Sequence, residues 1–153
     1  MPSLDDVYRK YGETSEAAQL LETELGNILL NVGAVAENLV EKPDEKTAIA
    51  LYTRINRQTL GQLLKDLKSS MESVDHLEEL LANALKARNH LIHSFYRQYN
   101  FRRNSEDGRE KMLQDLEHIH HDLLEAYKAV MRLSGIDLDK IVIDQLPTGQ
   151  VPI

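Results

Sequence analysis

Three stretches of this chain repeat apolar residues at alternating spacings of four and three, and no other feature restricts the fold as much. Leu21, Leu25, Ile28, Val32, Val35 and Leu39 make the first seam; Met112, Leu116, Ile119, Leu123, Ala126 and Val130 make the last. Such spacing puts every member on one stripe of an α-helix, and that stripe must be buried against other elements. The middle seam runs Leu77, Leu81, Ala84, Arg88, Leu91, Phe95. It keeps the rhythm but sets an arginine in an apolar slot. Burying an unpaired guanidinium costs on the order of several kcal/mol, so Arg88 must reach water, a carboxylate or a ligand.

Local signals divide the chain around these seams. Ser3-Leu4-Asp5-Asp6 reads as an N-cap with acids in the first turn, opening a short helix to about Tyr11 that Gly12 stops. Thr14-Ser15-Glu16 then caps a helix expected to reach about Glu41. Gly26 and Gly33 lie beside its seam and are read as points of close helix approach. Lys42-Pro43-Asp44 breaks the chain before a helix from Glu45 to about Asn56, and Thr59 caps further turns through Leu64. Ser73 is the expected cap of the helix carrying the middle seam. A loop from about Asn100 to Gly108 precedes a helix from about Arg109 to Leu133, ended by Ser134-Gly135. Ile141-Val142-Ile143 is a candidate short strand in a tail, residues 136–153, where Pro147 and Pro152 oppose helix. With only 7 Gly and 4 Pro in 153 residues, the pattern predicts one all-α domain over residues 1–135, an antiparallel up-and-down helical bundle.

Charge is unevenly spread. The net charge is −7, yet Leu80 to Ser105 contains no Asp or Glu, and Lys86, Arg88, Arg97, Arg102 and Arg103 make that segment +5. The remainder carries −12. An acidic body with one basic segment suits a protein that holds a polyanion at one place. The absence of cysteine excludes disulfides, thiolate metal sites and a cysteine nucleophile. There is no basic-then-apolar leader and no apolar run of the roughly 18 residues a membrane span needs, so a soluble, cytoplasmic protein is expected.

Within the basic segment, His93 lies five residues after Arg88, about 140° around a regular helix. Asn89, four before His93, shares its face. Arg88 therefore flanks one side of a ridge and Asn89 with His93 the other. A two-fold dimer packing these helices together would bring two arginines and two histidines into one cleft. The plainer reading makes Arg88 a satisfied salt bridge in a helical interaction module.

Arg88-Asn89-His90-Leu91-Ile92-His93 resembles the Arg-polar-x3-His motif of the HEPN superfamily, and Leu85 to Tyr96 is similar to its motif helix. The helical plan extends the similarity over roughly residues 14–134. The resemblance implies a commonly dimeric all-α bundle and a metal-independent endoribonuclease with no cofactor, of the kind found in toxin–antitoxin, defence or RNA-processing systems. It assigns Arg88, His93 and Asn89 to catalysis. RNA supplies its own nucleophile, the 2′-hydroxyl. The reaction needs an acid or base near neutrality, the natural role of an imidazole, and a fixed cation against charge growing on the phosphoryl oxygens, which suits a guanidinium. Asn89 would orient His93 or the phosphate. RNA contacts are expected from His90, Tyr96, Arg97, Arg102 and Arg103, with Tyr99 and Phe101 adding rings. The partners implied are RNA, a second copy of the chain and an antitoxin protein. A HEPN-like domain that binds RNA, nucleotide or protein without cleaving is the alternative. In one branch of the family a tyrosine two positions after the histidine is modified by the antitoxin; here that position is Phe95, so such control is not carried over.

A second polar cluster, Glu117-His118-Ile119-His120-His121-Asp122, has spacings that could present ligands to a metal. Its Glu-x-x-His pair has no second copy in the chain, as a di-iron bundle would require. It is read as an exposed or dimer-facing cluster, with no metal site expected.

Overall fold

The computed structural model describes residues 1–70 and 75–141, and within them the chain is helical, without strand. The α-helices are α1 Leu4–Ala36, α2 Glu45–Asn56, α3 Leu60–Ser70, α4 Asp75–His93, α5 Phe95–Gln98 and α6 Glu106–Leu133. Single 3-10 turns stand at Arg102–Asn104 and Leu138–Lys140. The expected cap at Ser73 lies outside the described residues, as do Val142 and Ile143 of the candidate strand and Pro147 and Pro152 of the tail.

The first departure from expectation is α1, which runs unbroken through Gly12. A glycine in a helix interior costs only about 1 kcal/mol relative to alanine. Burial of Val7, Ala17, Ala18, Leu21, Leu25 and Leu29 along one side of α1 outweighs that. Thr14 is not a cap: its hydroxyl donates back to the Lys10 carbonyl at 2.8 Å, and the side chain is fully buried. Ser3 does cap, reciprocally with Asp6, whose carboxyl is held below its ordinary pKa first by the Ser3 backbone N–H and then by its hydroxyl.

α1 also ends earlier than Glu41. Asn38 adopts a left-handed backbone (φ 56°), its N–H donating to the Val35 carbonyl while the Leu39 N–H reaches Ala34 at 2.9 Å. Those paired bonds close a helix end and satisfy its last carbonyls. The first seam holds at Leu21 and Leu25 and then drifts: Leu29 is buried, whereas Val35 is 70% exposed. Beyond Leu29 the helix has chiefly the short α2 beside it. The two pack closely at Gly33, where an added β-carbon would lie 2.7 Å from a δ-methyl of Leu51. Gly26 sits one seven-residue step earlier, against Ile55.

The other seams hold. All six members of the last one are buried in α6, and Leu77, Leu81, Ala84, Leu91 and Phe95 of the middle one join the same core. α1 and α6 share the most extensive contact in the molecule. They advance in the same sense: Arg109 donates to the Pro2 carbonyl (2.7 Å), Lys10 meets Glu117 (2.8 Å), and Ser134 donates to Glu24 (2.8 Å). α4 packs on α6 and delivers its last turn to the N-terminal part of α1. Among the described residues no helix is long and apolar enough to cross a membrane.

Candidate nucleic-acid site

The site forms where the last turn of α4, α5 and the Arg102–Asn104 turn meet the first turns of α1 and α6. α4 stops at His93, and the chain bends at Ser94, which makes no side-chain cap bond, before restarting as α5. Phe95 anchors that bend. It is fully buried, with Tyr11, Tyr96 and Tyr99 rings at 5.7, 5.2 and 5.2 Å and the His90 ring edge-on at 6.3 Å. The position that departs from the resembled family's tyrosine is therefore the centre of an aromatic cluster.

Arg88 finds a carboxylate. Its Nε donates to Glu22 Oε1 of α1 at 3.1 Å, with the two side chains 22% and 29% exposed. Its Nη1 lies 3.4 Å from the Asn89 carbonyl oxygen. The interrupted seam is thus closed by an ion pair at the core's edge. Asn89 orients the guanidinium rather than His93, because its side-chain oxygen is turned to Arg88. His93 is exposed and makes no hydrogen bond or ion pair among the described residues.

His90 departs from its expected place as an RNA contact. Its Nε2 lies 3.0 Å from Asp115 Oδ2 of α6, and the same oxygen accepts the Tyr99 hydroxyl at 3.2 Å. The carboxylate can only accept, so the imidazole donates. Burial, and then Asp115, push the Tyr99 hydroxyl above its ordinary pKa. This triad ties α4 and α5 to α6 immediately beside His93.

The remaining cations of the basic segment lie on the surface. Arg97, Arg102 and Arg103 are exposed and have no ion pair among the described residues. Their loop is held by two devices. Gly108, in the first turn of α6, lies directly against the Arg102 carbonyl, in a space that a β-carbon would occupy. Arg109 bridges the Arg103 carbonyl (3.0 Å) and the Pro2 carbonyl (2.7 Å). α6 accordingly begins at Glu106, capped by Ser105, whose hydroxyl accepts the Gly108 N–H at 3.1 Å. Tyr96 packs on Tyr11 at 4.9 Å and Tyr8 at 6.4 Å. Its hydroxyl is pushed up to about 12, first by burial and then by Tyr11 and Tyr8, with Arg103 opposing.

The second polar cluster is organised by a lysine. Lys10 Nζ sits 2.8 Å from Glu117 and 2.9 Å from His120 Nδ1. An ammonium has no acceptor, so Nδ1 accepts and His120 is neutral in this pairing. Burial, and then Lys10, hold the His120 pKa below its ordinary value. Among the described residues no group of three or more His, Asp or Glu side chains stands close enough together to hold a metal ion.

Glu22, Asp115, Tyr8, Tyr11 and Arg109 are the site residues that sequence reasoning missed. Each acts through a tertiary contact with a distant element. The nearest signal was the seam itself, since an arginine in an apolar slot demands a carboxylate without saying which. In comparisons with protein-family models, with curated proteins and with solved structures, nothing matches the chain.

Proposed function

We propose that this protein is a HEPN-like, metal-independent endoribonuclease that acts as a homodimer. One observation carries the reading: His93 stands exposed at the end of α4, with an Arg88–Asn89 pair one turn earlier and the exposed Arg97, Arg102 and Arg103 in the segment that follows. The finer fold belongs to the same reading. An antiparallel up-and-down bundle is supported by chain neighbours meeting in reverse order: Gly26 and Gly33 against Ile55 and Leu51, and Gly61 and Lys68 against Leu85 and Glu78.

The chemistry follows from the side chains. His93 removes the proton from a 2′-hydroxyl, whose oxygen forms a bond to the adjacent phosphorus as the bond to the 5′-oxygen breaks. A second imidazole, supplied by the partner copy, returns a proton to that leaving oxygen. Arg88 offers its remaining N–H groups to the phosphoryl oxygens. The products are a 2′,3′-cyclic phosphate and a 5′-hydroxyl. An antitoxin would cover the same face.

The Arg88–Glu22 pair favours a second reading, an RNA-, nucleotide- or protein-binding module that does not cut, because the guanidinium is already engaged. Incubation of single-stranded RNA with the protein in EDTA separates the two. Cleavage is expected from the wild type, with at least a hundredfold loss in His93→Ala and in Arg88→Ala. RNA left intact by wild-type protein, or His93→Ala cutting as well as wild type, contradicts the nuclease reading.

A further inference from the structure

The exposed aromatic surface beside His93 comes from two elements far apart in sequence. Tyr8, on the second turn of α1, is 46% exposed, and Tyr96 of α5 is 37% exposed. Their centroids lie 6.4 Å apart with planes at 59°. Rings tilted in this way face different directions, so a flat guest stacks on one of them at a time while the other braces it. Tyr96 cannot swing away: it leans on Tyr11, whose hydroxyl donates to the Leu91 carbonyl at 3.1 Å, and on buried Phe95. The platform is therefore preorganised on the core.

Exposed rings alone could serve any partner. Here they share a segment of chain with exposed arginines. Arg103 is close enough to act on the Tyr96 hydroxyl, Arg97 follows Tyr96 directly, and Phe101, 80% exposed, precedes Arg102 and Arg103. Flat π-faces interleaved with unpaired guanidinium groups match a chain of flat bases joined by phosphates whose bases are not already stacked in a duplex.

We infer that the exposed ring of Tyr8, braced by Tyr96, is a stacking platform for an unpaired base of a single-stranded nucleic acid whose phosphates pass Arg97 and Arg103. The inference rests on the reading of this face as a nucleic-acid surface and narrows it to a single-stranded substrate. Stacking needs no 2′-hydroxyl, so the platform holds DNA as well as RNA, and discrimination between the sugars falls to the cleavage step alone.

The test uses the full chain and a 12-nucleotide single-stranded DNA with 2-aminopurine near its centre, whose fluorescence drops when the base stacks. Titration is expected to quench the probe, while the same strand in a duplex is not quenched. Tyr8→Ala should weaken binding about tenfold, Tyr8→Phe should keep it, and Val35→Ala at the far end of α1 should leave it unchanged. Arg97→Ala and Arg103→Ala should each lower the salt dependence by about 0.7 in log–log slope. Absence of quenching by the wild type overturns the inference, and so does Tyr8→Ala binding as tightly as the wild type. If Tyr8→Ala instead changes the oligomeric state by light scattering with strand affinity intact, the patch is a protein contact and the inference is wrong. Tyr8-dependent quenching without RNA cleavage would remove the nuclease reading and leave the platform. RNA cleavage indifferent to Tyr8 would do the reverse.

Discussion

The two ends of α1, about 48 Å apart at 1.5 Å per residue, both expose apolar surface and differ in what surrounds it. At the far end Val32, Val35, Val40, Ile49 and Tyr52 are exposed around a 410 Å³ groove between α1 and α2, lined by Leu30, Ala34, Leu39 and Leu51 among others. At the near end the exposed rings of Tyr8 and Tyr96 stand on an aromatic cluster, with the exposed side chains of His93, Arg97 and Arg103 in the same segment of chain as Tyr96. Apolar exposure is common to both. At the near end it stands on a buried ring, Phe95.

Substitutions should separate the ends by stability first. Phe95→Ala removes the ring on which α5 and Tyr96 rest and should cost about 3–5 kcal/mol in urea unfolding. Val35→Ala at the other end should stay within about 0.5 kcal/mol. Equal costs would mean that the near end is no more fixed than the far one. Gly108→Ala comes next, at about 1–3 kcal/mol, because its methyl group meets the Arg102 carbonyl. RNA affinity should fall with it as the arginine loop shifts; a variant as stable as wild type would refute that packing.

Two glycines offer a smaller contrast. A β-carbon at Gly12 meets nothing within 4 Å, so Gly12→Ala should raise stability by about 0.5–1 kcal/mol. At Gly33 the same change must displace Leu51, and no rise in melting temperature is expected. The smallest effect is acid sensitivity at the Lys10–Glu117–His120 cluster. His120 resists protonation when folded but takes up its proton near pH 6.5 when unfolded, so its stabilising effect is complete above that value. It is lost as the pH falls through the lower folded value. The group is partly solvated, so the effect should be about 0.5 kcal/mol. Urea midpoints of wild type and His120→Gln should therefore converge between pH 7.5 and 5.5; parallel curves would exclude it.

What was legible in the sequence follows the range of the forces involved. The α6 seam needed only local periodicity, and Met112 through Val130 are all buried as their spacing requires. The middle seam buries Leu77, Leu81, Ala84 and Leu91 but breaks at Ser94 before Phe95, and its Arg88 was marked as a residue needing a partner. Glu22, 66 residues away, could not be chosen from one sequence, nor could the Asp115 that claims His90. In α1 the local signals misled. Thr14 has the chemistry of a cap but bonds backwards within a helix that tertiary burial carries through Gly12, and Asn38 supplies a left-handed end without glycine. The tyrosine pair was half visible: Tyr96 closes the Leu85–Tyr96 stretch, and Tyr8 arrives only when α1 folds against it.

The most direct test of the proposed single-strand stacking and 2′-hydroxyl cleavage is a DNA oligonucleotide containing one ribonucleotide, incubated with the protein in EDTA. The account predicts one cut, immediately 3′ to the ribonucleotide, leaving a 2′,3′-cyclic phosphate, and no cut with His93→Ala. An intact strand, or cleavage at deoxynucleotide positions, would contradict it.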